Sequence, residues 1–212
     1  MEHLIGQTLS VLMGLFAVMN PIANTPIFLG LTEDDSKDVR KQVAAKSVLT
    51  AFAIVAVFAL LGRLIFSLFG ITLPAFRIMG GILVALIGYQ MMHGNQSAVH
   101  HPKDIDDKAD LDAALSIAVT PLAIPILAGP GTIAATMSFA AAGGVADVVI
   151  TIVTFAVVCL ITYVFFVYSE ALVRSIGKTG LSVVTRIMGL ILGVIGVQML
   201  IAGVSGAIAS YH

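Results

Sequence analysis

Charge is scarce in this chain. Lysine and arginine number 11 and aspartate and glutamate 12 in 212 residues, so charged residues make up 11%. A soluble domain carries roughly a quarter. The net charge of −1 with no basic arm leaves no electrostatic footprint for nucleic acid. Tryptophan is absent, and the interfacial aromatic belt falls to Tyr89, Tyr163, Tyr168 and Tyr211. The single cysteine, Cys159, excludes an internal disulfide and any dithiol membrane oxidoreductase, which needs a second thiol. Catalytic patterns are missing as well. There is no nucleophile–base pair at a recognisable spacing and no His-Glu-x-x-His. Gly129-Pro-Gly131 follows no predicted strand and lacks the lysine of a phosphate-binding loop. The expectation is a protein that is not an enzyme and has no cofactor and no metal.

Apolar residues fill the space that charge leaves. They make up 58% of the chain, and the mean hydropathy is +1.04. At about 20 apolar residues per span, the sequence predicts an all-α polytopic membrane protein with six transmembrane helices. The predicted spans are residues 4–31, 47–69, 75–92, 113–142, 145–168 and 181–208. The amino-terminal Met-Glu-His lacks the positive region of a signal peptide, so the first span is expected to be retained. Between the first two spans, residues 32–46 read as a loop running into a short amphipathic helix. Residues 70–74 read as a tight connection and residues 169–180 as a short polar turn.

The first predicted span is interrupted by Asn20-Pro-Ile-Ala-Asn-Thr-Pro26. Proline removes a helical N–H and crowds the preceding turn, so Pro21 and Pro26 are expected to open the helix. In hydrocarbon an opening survives only where it is packed in protein or lines a water-filled cavity. A related element returns in the fourth span, Thr120-Pro-Leu-Ala-Ile-Pro125-Ile-Leu-Ala-Gly-Pro-Gly131. Interrupted helices at corresponding places in two halves point to a transporter binding site. The candidate substrate-binding residues are therefore Asn20, Pro21, Asn24, Thr25 and Pro26 in the first half. In the second half they are Thr120, Pro121, Pro125, Gly129, Pro130, Gly131 and Thr132.

The halves repeat further along. Arg77-Ile-Met-Gly opens span three and Arg186-Ile-Met-Gly opens span six. Gly81, Ala85, Gly88, Gln90 and Met91 line up with Gly189, Gly193, Gly196, Gln198 and Met199 at a constant offset. Small residues at steps of four and three share one helical face, on which backbones in lipid can approach closely. Arg77, Gly81, Gly88, Gln90, Arg186, Gly189, Gly193, Gly196 and Gln198 are accordingly read as packing and interhelical residues. Each repeat has an odd number of spans, so the second copy must be inverted. The organisation expected is a first three-helix repeat (1–92), a polar cytoplasmic linker (93–112) and a second, inverted repeat (113–212), each repeat with a broken first helix. The histidines and aspartates of the linker match no metal-ligand spacing and read as a solvated charge run.

Orientation follows from the positive-inside rule. Lys37, Arg40, Lys41, Lys46, Lys103, Lys108, Arg174, Lys178 and Arg186 fall on one side, and only Arg63 and Arg77 on the other. The first group is placed in the cytoplasm and both termini outside. No aspartate or glutamate falls in the middle of a span; Asp147 and Glu170 sit at span ends. Neutral amides, hydroxyls and helix ends remain at depth, a set that suits a small zwitterion.

Four stretches resemble the MarC family of bacterial and archaeal inner-membrane proteins. They are Asn20-Pro-Ile-x-x-x-Pro-Ile-Phe-Leu, Phe76-Arg-Ile-Met-Gly-Gly-Ile-Leu, Pro121-Leu-Ala-Ile-Pro-Ile-Leu-Ala-Gly-Pro-Gly-Thr-Ile and Thr185-Arg-Ile-Met-Gly-Leu-Ile-Leu. The resemblance implies six spans and a cytoplasmic-membrane location. It also implies transport of small neutral amino acids such as glycine and alanine. Read with the residues, it leads to a secondary transporter working by alternating access, with Na+ or H+ as candidate coupling ion. An exporter of another small solute or drug, and a non-transporting membrane scaffold, are the alternatives. The expected partners are a small neutral amino acid and the lipid bilayer, with homo-oligomer formation left open.

Overall fold

The computed structural model describes residues 2–33, 35–93, 118–141 and 144–210. The linker predicted at 93–112 lies outside them except for His93. Among the described residues every element is helical: α1 (Glu2–Met19), α2 (Pro21–Leu31), α3 (Lys37–Phe69), α4 (Leu73–Met92), a π-helical α5 (Ala118–Leu127), α6 (Pro130–Ala140), α7 (Val145–Val167) and α8 (Ser169–Ser210). Five segments are long and apolar enough to cross a membrane: 5–31, 37–62, 73–92, 145–167 and 179–210. Within the span predicted at 113–142, the described residues form two short pieces, α5 and α6, of 10 and 11 residues. At about 1.5 Å rise per residue, an 11-residue α-helix covers roughly half of a ~30 Å hydrocarbon core.

Local signals set the boundaries. Ser36 caps α3, its hydroxyl accepting from the Val39 N–H at 3.3 Å, and Asp38 in the first turn complements the helix dipole. The predicted loop-plus-short-helix before span two is therefore one continuous helix from Lys37. Gly70, at φ 64, ends it in the left-handed conformation that glycine adopts without strain. Thr72 then caps α4 by accepting from the Ala75 N–H at 3.3 Å. The polar turn predicted at 169–180 is helical and carries one kink at Gly177, φ 70.

The larger core cluster joins Val11, Leu15 and Met19 of α1 to Val43, Val48 and Val55 of α3, to Leu122 and Leu127 of α5, and to Phe155 and Val158 of α7. Phe28 of α2 stacks on Phe166 of α7 with ring centroids 4.2 Å apart. A smaller cluster (Ala17, Val84, Leu192 and Met199) joins α1, α4 and α8. The principal pairings come in matched sets. α1 packs on α7 as α5 packs on α3, and α2 packs on α8 as α6 packs on α4.

The closest approach is between α4 and α8. A Cβ on Gly88 would lie 2.4 Å from the Gly193 nitrogen and 2.5 Å from the Gly189 oxygen. One on Gly81 would lie 2.6 Å from the Gly196 oxygen, and one on Gly203 would lie 2.9 Å from the Pro74 oxygen. Residue numbers rise along α4 as they fall along α8, so the pair is antiparallel. Gly193 departs from the face read in the sequence. Its backbone touches Gly88, but a Cβ on it would meet nothing within 4 Å.

Candidate functional site

Two chain breaks build the site. The first is centred on Asn20, the one non-glycine among the described residues with positive φ (φ 48, ψ 67). Asparagine visits this left-handed region more readily than other side-chain-bearing residues. Its N–H closes α1 onto the Phe16 carbonyl at 2.9 Å, and its own carbonyl accepts from the Asn24 N–H at 3.2 Å. Its side-chain Oδ1 accepts from the Ala23 N–H at 3.2 Å and so caps α2. Pro21 then occupies the first helical position, where a missing N–H costs nothing. The prolines therefore do not open this helix as expected. Asn20 ends it, Pro21 starts the next one, and Pro26 lies inside α2.

The second break has the same form. Ala128 N–H reaches back five residues to the Ala123 carbonyl at 2.8 Å, the π-helical spacing. Gly129 follows as extended cap residue (φ −71, ψ 169), and Pro130 is the first residue of α6. The counterpart of Asn20-Pro21 is thus Gly129-Pro130, not Thr120-Pro121. The separation from 21 to 130 is 109 residues, the same as from Arg77 to Arg186. Thr120, Pro121 and Pro125 lie on the π-helical backbone before the break, and their side chains are outside the described residues.

Between the breaks lies a cavity of about 260 Å³. Of the residues predicted from the sequence, Asn20, Asn24, Gly129, Pro130, Gly131 and Thr132 line it. Pro21, Thr25 and Pro26 do not; Thr25 is fully buried, and its hydroxyl donates to the Pro21 carbonyl at 2.8 Å. The rest of the wall had not been expected. Leu83, Leu86, Ile87 and Gln90 form one face of α4, joined by Met91 and by Thr185 of α8. Their spacing of three, four and seven was legible as a face, but the neighbouring glycine stripe drew α4 to the packing role. Among the described residues, no Asp, Glu, Lys or Arg lines the cavity. Asn24 donates its amide N–H to the Met19 carbonyl at 2.7 Å, and the Asn20 amide N–H meets only the thioether of Met91 at 3.8 Å.

A family model for MarC family integral membrane proteins matches residues 5–208. The chain belongs to the MarC family. Among its relatives, the UPF0056 membrane protein YvbG of Bacillus subtilis is 44% identical over 92% of this chain and 93% of its own length. A UPF0056 membrane protein of Methanocaldococcus jannaschii is 42% identical over 92% and 94%. The UPF0056 inner membrane protein MarC of Escherichia coli (O1:K1) is 35% identical over 93% and 94%. No solved structure matches the chain. This MarC-family chain is an integral membrane protein.

Polar contacts tie its helix ends. The Gln7 amide donates to the Asp147 carboxylate at 2.8 Å, linking α1 to α7, and Arg77 donates to the Ser138 hydroxyl at 3.2 Å, linking α4 to α6. Buried Arg40 of α3 hydrogen-bonds the exposed carboxylate of Glu170 and donates twice to the Thr32 carbonyl, at 3.0 and 3.3 Å. The Arg40 hydrogen bond, and then its charge, hold the Glu170 carboxyl below its usual value. The contact is thus present above the ordinary glutamate pKa and fades as pH falls through the lowered one. Arg40→Met is expected to cost about 1–3 kcal/mol, because it also removes two of the hydrogen bonds to the Thr32 carbonyl and leaves it only the Asp35 N–H at 3.2 Å. Glu170→Gln should cost less. Thermal denaturation in detergent micelles checks this; equal shifts would assign nothing to the Thr32 bonds.

Proposed function

We propose that this chain is a secondary transporter of small neutral amino acids in the cytoplasmic membrane, with its site between the two half-helix starts. One observation carries the reading: two proline-started half-helices face one cavity whose polar lining is uncharged. Helix amino ends offer N–H groups to a carboxylate, and the Asn24 amide oxygen offers an acceptor to an ammonium. A wall of Leu83, Leu86 and Ile87 suits an uncharged, apolar side chain, and a volume of about 260 Å³ admits the whole amino acid. No enzymatic step is part of the proposal, and neither Na+ nor H+ is favoured over the other as coupling ion.

Two inverted three-helix units, six spans in all, fit the matched pairings of the fold. The glycine contacts add support: exchanging the halves turns the Gly81–Gly196 approach into the Gly189–Gly88 approach. With the arginine and lysine asymmetry, this reading places both termini outside. A cysteine at position 97 in a Cys159→Ser background should then resist impermeant thiol reagents on intact cells, and ready labelling would reverse the orientation. On that orientation the end of α4 that carries Gln90 and Met91 and the start of the last span that carries Thr185 face the cytoplasm, so the cavity they line is read as opening on that side of the breaks. That fits an inward-facing form.

Counterflow of radiolabelled alanine in liposomes tests the function. Accumulation driven by unlabelled alanine inside is the expected result. Vesicles containing protein that behave as empty ones would leave the scaffold alternative.

A further inference from the structure

Both half-helices start with proline, but their first turns are not chemically alike. At α2 the Asn20 side chain accepts from the Ala23 N–H, and the Asn24 N–H returns to the Asn20 carbonyl. That amino end is largely self-satisfied. At α6 the cap residue is Gly129, which has no side chain and makes no capping bond. The Ile133 N–H returns to the Gly129 carbonyl, which leaves the N–H groups of Gly131 and Thr132 without a helical acceptor. Both residues line the cavity. A second observation points the same way. Thr132 is only 3% exposed, yet no described group hydrogen-bonds its hydroxyl. That oxygen is not among the fully enclosed unpartnered side-chain atoms, so it opens onto the cavity, in the wall beside two open N–H groups.

We infer that the cavity binds its solute in one polarity, with the carboxylate seated on the Gly131 and Thr132 N–H groups and the Thr132 hydroxyl. The inference rests on the transport-site reading given above and names the recognition within it. The Asn20 amide N–H, which meets only a thioether, supplies a further donor from across the cavity. Asn24 has spent its N–H on the Met19 carbonyl, so its amide oxygen is the acceptor that faces an ammonium. The α6 dipole adds favourable charge at the carboxylate end without any lysine or arginine. The α2 end is not a second anion seat, because its cap is already filled. Site specificity is therefore set first by the carboxylate, and the ligand class is small α-amino monocarboxylates.

The test copies one half onto the other. Gly129→Asn gives α6 the cap that Asn20 gives α2, and its extended backbone suits a capping residue. In nanodiscs this variant should melt higher by roughly 2–4 °C, the shift that a cap brings to a chain of this size. It should bind radiolabelled alanine at least about tenfold more weakly, equivalent to about 1.4 kcal/mol. Greater stability with weaker binding is not the signature of misfolding. Thr132→Val should weaken binding in the same direction, and Thr132→Ser should restore most of it. With wild-type protein, propionate should displace labelled alanine at a lower concentration than alaninamide does. If wild type binds alanine and Gly129→Asn binds it equally, or alaninamide displaces as well as propionate, the carboxylate seat is overturned and the transport reading stands. If wild type binds neither alanine nor propionate, the transport reading falls and this inference with it.

Discussion

Gly88→Leu is expected to leave almost no folded protein, judged by a monodisperse peak on size exclusion in detergent. A Cβ there would lie 2.4 Å from a backbone nitrogen and 2.5 Å from a backbone oxygen of α8. These atoms cannot swing aside as a side-chain tip can, so α4 and α8 must separate. Overpacking typically costs 1–3 kcal/mol, occasionally more. Separation here would also forfeit the contacts at Gly81, Gly196 and Gly203 along the same seam. In lipid, close packing is what holds such a pair, because burial from water does not drive it. Even Gly88→Ala should lower the melting temperature. Gly193→Ala is the matched control, since the added Cβ meets nothing within 4 Å and a better helix former replaces glycine. If Gly88→Leu and Gly193→Ala ran alike, the seam would not be the joint that holds the fold.

Asn20 gives the second large effect, and the choice of replacement decides what is learned. Asn20→Ala should lose folded protein and transport together. Alanine at φ 48 costs about 1–2 kcal/mol, and the lost cap on α2 costs about 1 kcal/mol more. Asn20→Gly separates the roles. Glycine accepts the left-handed backbone and costs only a few tenths of a kcal/mol as cap, so folded yield should stay near wild type. The amide N–H facing the cavity is gone, and alanine flux in liposomes should fall at least about tenfold, or about 1.4 kcal/mol. Wild-type flux in the glycine variant would take the Asn20 amide out of solute recognition and leave it a structural residue.

A sequence-level reading would take Asn20→Ala as a clean probe of a polar contact, and the left-handed backbone shows why it is not. One side chain is both cap and wall. Local sequence carries the presence of a break but not its mechanism, because whether proline interrupts a helix or begins one depends on the conformation of the residue before it. The same ambiguity left the second break unplaced within residues 120–131. Pro121, Pro125 and Pro130 are equivalent as proline in the sequence, and only the extended Gly129 before Pro130 marks where the new helix starts.

The sequence by itself determined the membrane class, the helical character and the two interrupted regions. Each follows from one-dimensional chemistry: apolar runs long enough for a bilayer, too little charge for a soluble surface, and asparagine, glycine and proline where a helix cannot continue. It also carried the small-residue face of α4 and α8, since helical periodicity is a property of the string. Only the tertiary structure decided which glycines meet backbone. Gly193 shares the stripe with Gly189 and Gly196, but its Cβ direction faces open space because the helices cross with their own rotation and depth. The structure likewise decided that Leu83, Gln90 and Thr185 belong to the cavity wall while Thr25 turns away to the Pro21 carbonyl. A cavity is the volume that several elements leave between them, so its walls are set by the packing of α1, α2, α4, α5, α6 and α8 together.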